Sequence, residues 1–182
     1  DVLVDTDEGP GNAMPEKIPN LRPAFKKDGT VTAANSSSIS DGAAALMVMT
    51  ESKAKELGLT PLAKIVGHAT NSIKPEDFTV APVGAMEKLF AKIGWQEDDV
   101  DLFEINEAFA MVTMLAISKL GLDGNKVNIN GGAIALGHPL GCTGSKLTVQ
   151  ILNDLERLHK KYGIVTACVG GGQGIAGIIE RM

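Results

Sequence analysis

Three short stretches carry side chains that could do chemistry. The first is Gly131-Gly132-Ala133-Ile134-Ala135-Leu136-Gly137-His138-Pro139-Leu140-Gly141-Cys142-Thr143-Gly144. Its histidine is flanked by residues that leave little bulk around the imidazole. Glycine lets backbone come close to a ligand. Pro139 fixes its own φ and biases His138 toward extended conformations. An imidazole held this way suits acid–base work, or stabilisation of negative charge that develops near a helix N-terminus. The second stretch is Asn106-Glu107-Ala108-Phe109-Ala110, and the third is Cys168-Val169-Gly170-Gly171-Gly172-Gln173-Gly174. They place an amide and a thiol just where strand-like runs end. Strand ends are the usual ligand edge of an α/β sheet.

Taken singly, each has a plainer reading. Gly-His-Pro is first of all a turn. Asn106 is a natural helix N-cap, and Cys168 is a natural small buried hydrophobe. His68 carries no motif and is assigned no role. Cys142, at the start of the helix after the histidine, reads as structural. The weight lies in the three stretches occurring together.

The elements that must position them follow from periodicity. Ala43 to Met49 is a continuous apolar run of strand length. A short helix is expected over about 51–57 and a strand over Leu62 to Val66. Pro82 opens a helix whose face is Val83, Met86, Phe90 and Ile93, ending near Gly94. Glu97-Asp98-Asp99 reads as a solvated loop. Val100 to Ile105 reads as a strand leading to Asn106, and the following helix buries Phe109, Val112 and Ala116. Lys126 to Asn130 fits a short strand. Leu147, Ile151, Leu155 and Leu158 mark a helix after His138. Ile164 to Val169 and Ile175 to Ile179 read as a closing hairpin. Residues 1–40, with Gly9-Pro10-Gly11, Pro15, Pro19, Pro23 and Gly29, read as an irregular arm.

Composition bounds the function without naming it. The chain has 182 residues, a net charge of −5, 21 glycines and only two cysteines. It is long enough for one domain with a sizeable core. An acidic chain lacks the basic footprint of a nucleic-acid binder, so none is expected as a partner. No apolar run reaches membrane-span length. Two cysteines form no disulfide framework and suit a reducing compartment, the cytoplasm or an organellar matrix. The start, Asp1-Val2-Leu3-Val4, shows neither an initiator Met nor a signal peptide. Gly144-Ser145-Lys146 is not the order a phosphate loop requires, and 137–144 does not match the dinucleotide fingerprint.

The combination of Asn106–Ala110, Gly131–Gly144 and Cys168–Gly174 resembles the C-terminal half of a thiolase, of the acetyl-CoA acetyltransferase or 3-ketoacyl-CoA thiolase type. Leu21-Arg22-Pro23-Ala24-Phe25 through Ala33 and Asp41-Gly42-Ala43-Ala44-Ala45 also resemble family segments. The resemblance implies an α/β fold of the type βαβαβαββ, with a mostly parallel sheet and helices on both faces. Residues 1–40 would be a remnant of the loop domain and linker, and 41–182 the C-terminal domain. It implies acyl transfer on acetoacetyl-CoA or longer 3-ketoacyl-CoA, by Claisen condensation or thiolytic cleavage. Coenzyme A thioesters would be the substrates, with no cofactor and no metal.

By resemblance, His138 activates the nucleophile and helps bind the thioester oxygen. Asn106 holds a water in one oxyanion hole, and the Gly170 N–H serves a second. Cys168 exchanges the α-carbon proton. Ser37 lies against the pantetheine, although Ser38 stands where the family has a glycine. Glu107 supports Asn106 from behind. The family's nucleophilic cysteine belongs to an N-terminal half, and neither Cys142 nor Cys168 matches it. The partners expected are therefore that missing half and, in the full-length protein, further copies in a homodimer or tetramer. A fragment of this kind is expected to be inactive alone. A non-catalytic domain of the same fold, binding coenzyme A or a protein partner, is the alternative.

Overall fold

The computed structural model describes residues 2–182. Its centre is a four-stranded sheet of β1 (Ala63–Ser72), β2 (Leu102–Ile105), β3 (Tyr162–Val169) and β4 (Gln173–Arg181), in the order β1-β4-β3-β2. β2 and β3 are parallel, whereas β4 is antiparallel to both β3 and β1. Three strands thus share one direction, and the closing hairpin inserts β4 against them in the middle of a mixed sheet. A parallel bridge from Phe103 to Val127 extends the sheet past β2. It stands in for the strand expected over 126–130, which is otherwise a 3-10 turn (Gly124–Lys126) and loop.

Among the described residues six α-helices accompany the sheet: α1 (Glu8–Asn12), α2 (Glu51–Glu56), α3 (Ala81–Ile93), α4 (Ala110–Leu120), α5 (Ala133–Leu136) and α6 (Thr143–Arg157). The strands alternate between two faces, as a period of two requires. Phe103, Ile105, Ile164 and Ile178 join Val83, Met86, Leu89, Phe90, Val112 and Ala116 of α3 and α4 in the larger core. Leu102 and Ile179 point the other way and meet Ile151 and Leu155 of α6. α6 lies close to the sheet because β3 carries Gly163, where a Cβ would come within 2.5 Å of the Ile151 side chain. α3 ends where expected, with Gly94 in the left-handed region at φ 74°.

The expected strand at Ala43–Met49 does not form a ladder with any described residue. Met47 is 83% exposed and Val48 70%. A continuous apolar run is stable as a strand only when neighbours cover both its faces, and none of the described residues does so. No residue between 2 and 50 is buried. The arm instead holds to the body by hydrogen bonds around Ser36 to Ser40, described next.

Candidate functional site

The site forms where β2 and β3 end. The Asn106 N–H donates to the Thr166 carbonyl at 2.9 Å, carrying the parallel ladder one residue past β2. Asn106 is 1% exposed. The outer edge of β2 at this point is closed by a side chain. Asn128, held at φ 46°, accepts from the Ile105 N–H at 2.8 Å and donates to the Ile105 carbonyl at 2.9 Å. Asparagine tolerates that backbone conformation, and its amide does here what a further strand would do. Glu107 accepts from Asn128 Nδ2 at 3.1 Å through Oε1, and from the Ile134 N–H at 3.1 Å through Oε2. Its carboxylate ties the Asn106 loop to the first turn of α5, just ahead of His138.

His138 follows α5 and Gly137, which sits at φ 86°. Its N–H donates to the Ser38 carbonyl at 2.9 Å, and a parallel bridge pairs it with Ile39. The extended backbone that Pro139 demands is therefore used to dock the N-terminal arm. The imidazole is held on both sides. Nε2 lies 3.3 Å from Asn106 Nδ2, and Nδ1 lies 2.7 Å from Thr143 Oγ1. Burial, and then the nearby Lys146 ammonium, hold its pKa below the ordinary histidine value. Lys146 Nζ donates to the Gly137 carbonyl at 3.1 Å.

Ser37 donates to the Ala108 carbonyl at 3.2 Å from both its N–H and its hydroxyl. The arm thus touches the Asn106 loop and the His138 segment together. Cys168 lies at the end of β3 opposite Gly174, and Gly170 opens the hairpin turn. Cys168 is half-buried and packs against the larger core, and this burial pushes its thiol pKa up. Among the described residues no hydrogen bond links it to Asn106 or His138. The turn requires its glycines: Gly172 is at φ 83°, and a Cβ there would collide with the Ile73 carbonyl oxygen.

Asn106 and His138 are therefore in contact, with Ser37 and Glu107 bound to the same loop. Cys168 and Gly170 stand one strand over at the same sheet edge. Three participants were not legible as such in the sequence: Thr143, Asn128 and a buried carboxyl, Glu104. Glu104 is 2% exposed on the α6 face of β2. Its Oε1 accepts from Gln150 Nε2 at 3.1 Å, and its Oε2 has no partner among the described residues. Burial first, and the Asp154 charge second, push its pKa up to about 8. Among the described residues no group of three or more His, Cys, Asp or Glu side chains could hold a metal ion, and no helix is long and apolar enough to cross a membrane.

The family model for the thiolase C-terminal domain matches residues 59–181, and that for the thiolase N-terminal domain matches residues 1–52. The unpaired run 43–49 falls inside the second match. A 3-ketoacyl-CoA thiolase of Bacillus subtilis is 52% identical over 163 residues, covering 90% of this chain and 42% of that protein. An acetyl-CoA acetyltransferase of Escherichia coli is 49% identical over 177 residues, covering 97% and 45%. Among solved structures, the Bacillus anthracis acetyl-CoA acetyltransferase superposes with a TM-score of 0.91 at 46% identity, over 97% of this chain and 45% of that one. Human mitochondrial 3-ketoacyl-CoA thiolase in complex with CoA superposes with a TM-score of 0.86 at 42% identity, over 94% and 43%. The chain spans less than half the length of these relatives. Family matches along both parts of the sequence, and a fold shared at this level of identity, place the chain in the thiolase family.

Proposed function

We propose that this chain supplies the C-terminal part of an acyltransferase site that cleaves or forms 3-ketoacyl-CoA, acetoacetyl-CoA or longer. The nucleophilic cysteine would come from an N-terminal thiolase half. The observation that carries the reading is the contact of buried Asn106 with His138, with Cys168 at the end of the neighbouring strand.

In the cleavage direction a thiolate attacks the 3-carbonyl carbon. The bond between C2 and C3 then breaks, and an acetyl-CoA enolate leaves. The acyl group passes from the enzyme sulfur to the thiol of a second coenzyme A. His138, kept neutral by burial and Lys146, can take the nucleophile's proton and then stabilise the thioester oxygen. Asn106 Oδ1 is buried without a partner among the described residues, which suits an amide that holds a water for the same oxygen. The Cys168 thiol, kept protonated by burial, suits delivery of a proton to C2. The Gly170 N–H would face the oxygen of the acylated nucleophile, where one donor contributes on the order of 3 kcal/mol.

Ser37 would lie along the pantetheine, and residues 1–40 would be the remnant of the domain that covers coenzyme A. Glu107 would act from behind by bracing the Asn106 loop. The exposed run 43–49, inside the N-terminal family match, would pack against the missing half. The complete protein would assemble as a homodimer or tetramer.

The test is reconstitution. The chain alone should not consume acetoacetyl-CoA above background, because covalent catalysis needs the absent thiolate. Mixed with the matching N-terminal half, it should turn over, and His138→Ala should lower that turnover by about 10²–10⁴-fold. A stable acyl adduct on Cys142 or Cys168 of the chain alone would overturn the assignment. So would a His138→Ala pair that works at the normal rate. A pair that binds coenzyme A but does no chemistry would favour a binding domain instead.

A further inference from the structure

Thr143 is 4% exposed in the first turn of α6. Its Oγ1 stands between two partners, His138 Nδ1 at 2.7 Å and the Pro139 carbonyl oxygen at 3.0 Å. A hydroxyl has one proton to give. The Pro139 carbonyl, which also accepts from the Cys142 and Thr143 N–H groups at 2.8 and 2.9 Å, can only accept, and the Thr143 hydroxyl is oriented to donate to it, which turns a lone pair toward Nδ1. In that arrangement Nδ1 carries a hydrogen. The other side of the ring fits the same tautomer. In a neutral ring protonated at Nδ1, Nε2 is an acceptor, and Asn106 Nδ2 lies 3.3 Å from it. With its amide nitrogen committed to the ring, Asn106 keeps Oδ1 unpartnered and buried.

We infer that Thr143 is a positioning residue. It fixes the neutral His138 ring as the Nδ1–H tautomer, leaves Nε2 as the basic nitrogen beside Asn106, and so leaves Asn106 Oδ1 open to a donor such as water. The inference rests on the role proposed for His138, since a ring that must accept a proton at Nε2 needs that nitrogen unprotonated. The opposite arrangement has the hydroxyl donating to Nδ1 and the Asn106 amide turned over toward a protonated Nε2. That ring would present no basic nitrogen at Nε2.

The two arrangements differ in nitrogen NMR. The chain has three histidines. With histidine ¹⁵N-labelled, His138 is assigned by the signal lost in His138→Gln. At neutral pH its Nδ1 should read as pyrrole-type and its Nε2 as pyridine-type. Thr143→Val keeps the shape but removes the hydroxyl and strands a buried Nδ1–H. It should shift the ring to the Nε2–H form or to a mixture, whereas Thr143→Ser should restore the original pattern. With the N-terminal half present, Thr143→Val should lower kcat by roughly 10- to 100-fold with little change in KM.

A wild-type ring with pyridine-type Nδ1 overturns the inference by itself, without need of any variant. A folded valine variant that keeps the Nδ1–H tautomer also overturns it. If valine reverses the tautomer while reconstituted turnover is unchanged, the inference about Thr143 stands, and it is the role proposed for His138 that fails.

Discussion

Glu104 allows a prediction whose sign and size follow from the structure. Its carboxyl lies under the sheet against α6, with one oxygen accepting from Gln150 and the other unpartnered among the described residues. Burial and the Asp154 carboxylate both oppose ionisation and outweigh the Gln150 hydrogen bond and Lys146, which favour it. The carboxyl therefore keeps its proton up to about pH 8 in the folded chain, against 4.5 as its ordinary value. Between these two pH values the unfolded chain has lost the proton and the folded chain has not, so the unfolded chain binds fewer protons. Stability must then fall as pH rises through this window, and the contribution is fully present only below about 4.5.

At 1.36 kcal/mol per pH unit, the ceiling on the loss is about 5 kcal/mol. Water entry and relaxation around a newly charged carboxylate reduce this, and about 2–3 kcal/mol is the expected size. Glu104→Gln keeps the shape and cannot ionise. In urea denaturation the two proteins should differ little at pH 5, and the glutamine variant should be the more stable by about 2–3 kcal/mol at pH 8.5. Taking the difference between the proteins removes the titrating groups that do not interact with Glu104. A difference that stays constant from pH 5 to pH 8.5, or that grows in favour of wild type, would refute the reasoning.

Two further outcomes are expected. In the reconstituted enzyme, Cys168→Ser should leave acyl-enzyme labelling from acetyl-CoA intact but abolish solvent deuterium exchange at the acetyl methyl, because a hydroxyl's pKa lies far above working pH; equal, modest losses in both assays would return Cys168 to a packing role. Asn128→Ala should lower stability in urea by about 2–4 kcal/mol, because it strips partners from Ile105 and Glu107 and leaves alanine at positive φ; a loss under 1 kcal/mol would mean that water or backbone replaces the amide at little cost.

The sequence by itself determined most of the elements, and the family. The glycine and proline signals at Pro82, Gly94 and the 170–172 turn act locally, through φ and sterics, and so they read directly as a helix start, a helix stop and a hairpin. The apolar spacing of Met86, Phe90, Ile151 and Leu155 named the buried faces, because burial along one helix repeats with its turn. The three motif blocks carried the resemblance that the family matches bear out. The apolar run 43–49 reads as a strand from composition alone. Whether it pairs depends on neighbours, and none of the described residues provides them.

The tertiary structure decided what touches what around the ring. Thr143 lies five residues after His138, yet its hydroxyl returns to Nδ1 only because α6 begins at that point. Asn106 reaches Nε2 from 32 residues away because β2 and α6 share the edge where the strand ends. Asn128 acts as a missing strand through a side chain, which no periodicity records. Nothing in the sequence singles out Glu104 within the strand-like run Val100 to Ile105. It became the buried acid of the fold because α6 covers that face, and desolvation depends on what is packed above a residue and not on its neighbours in sequence.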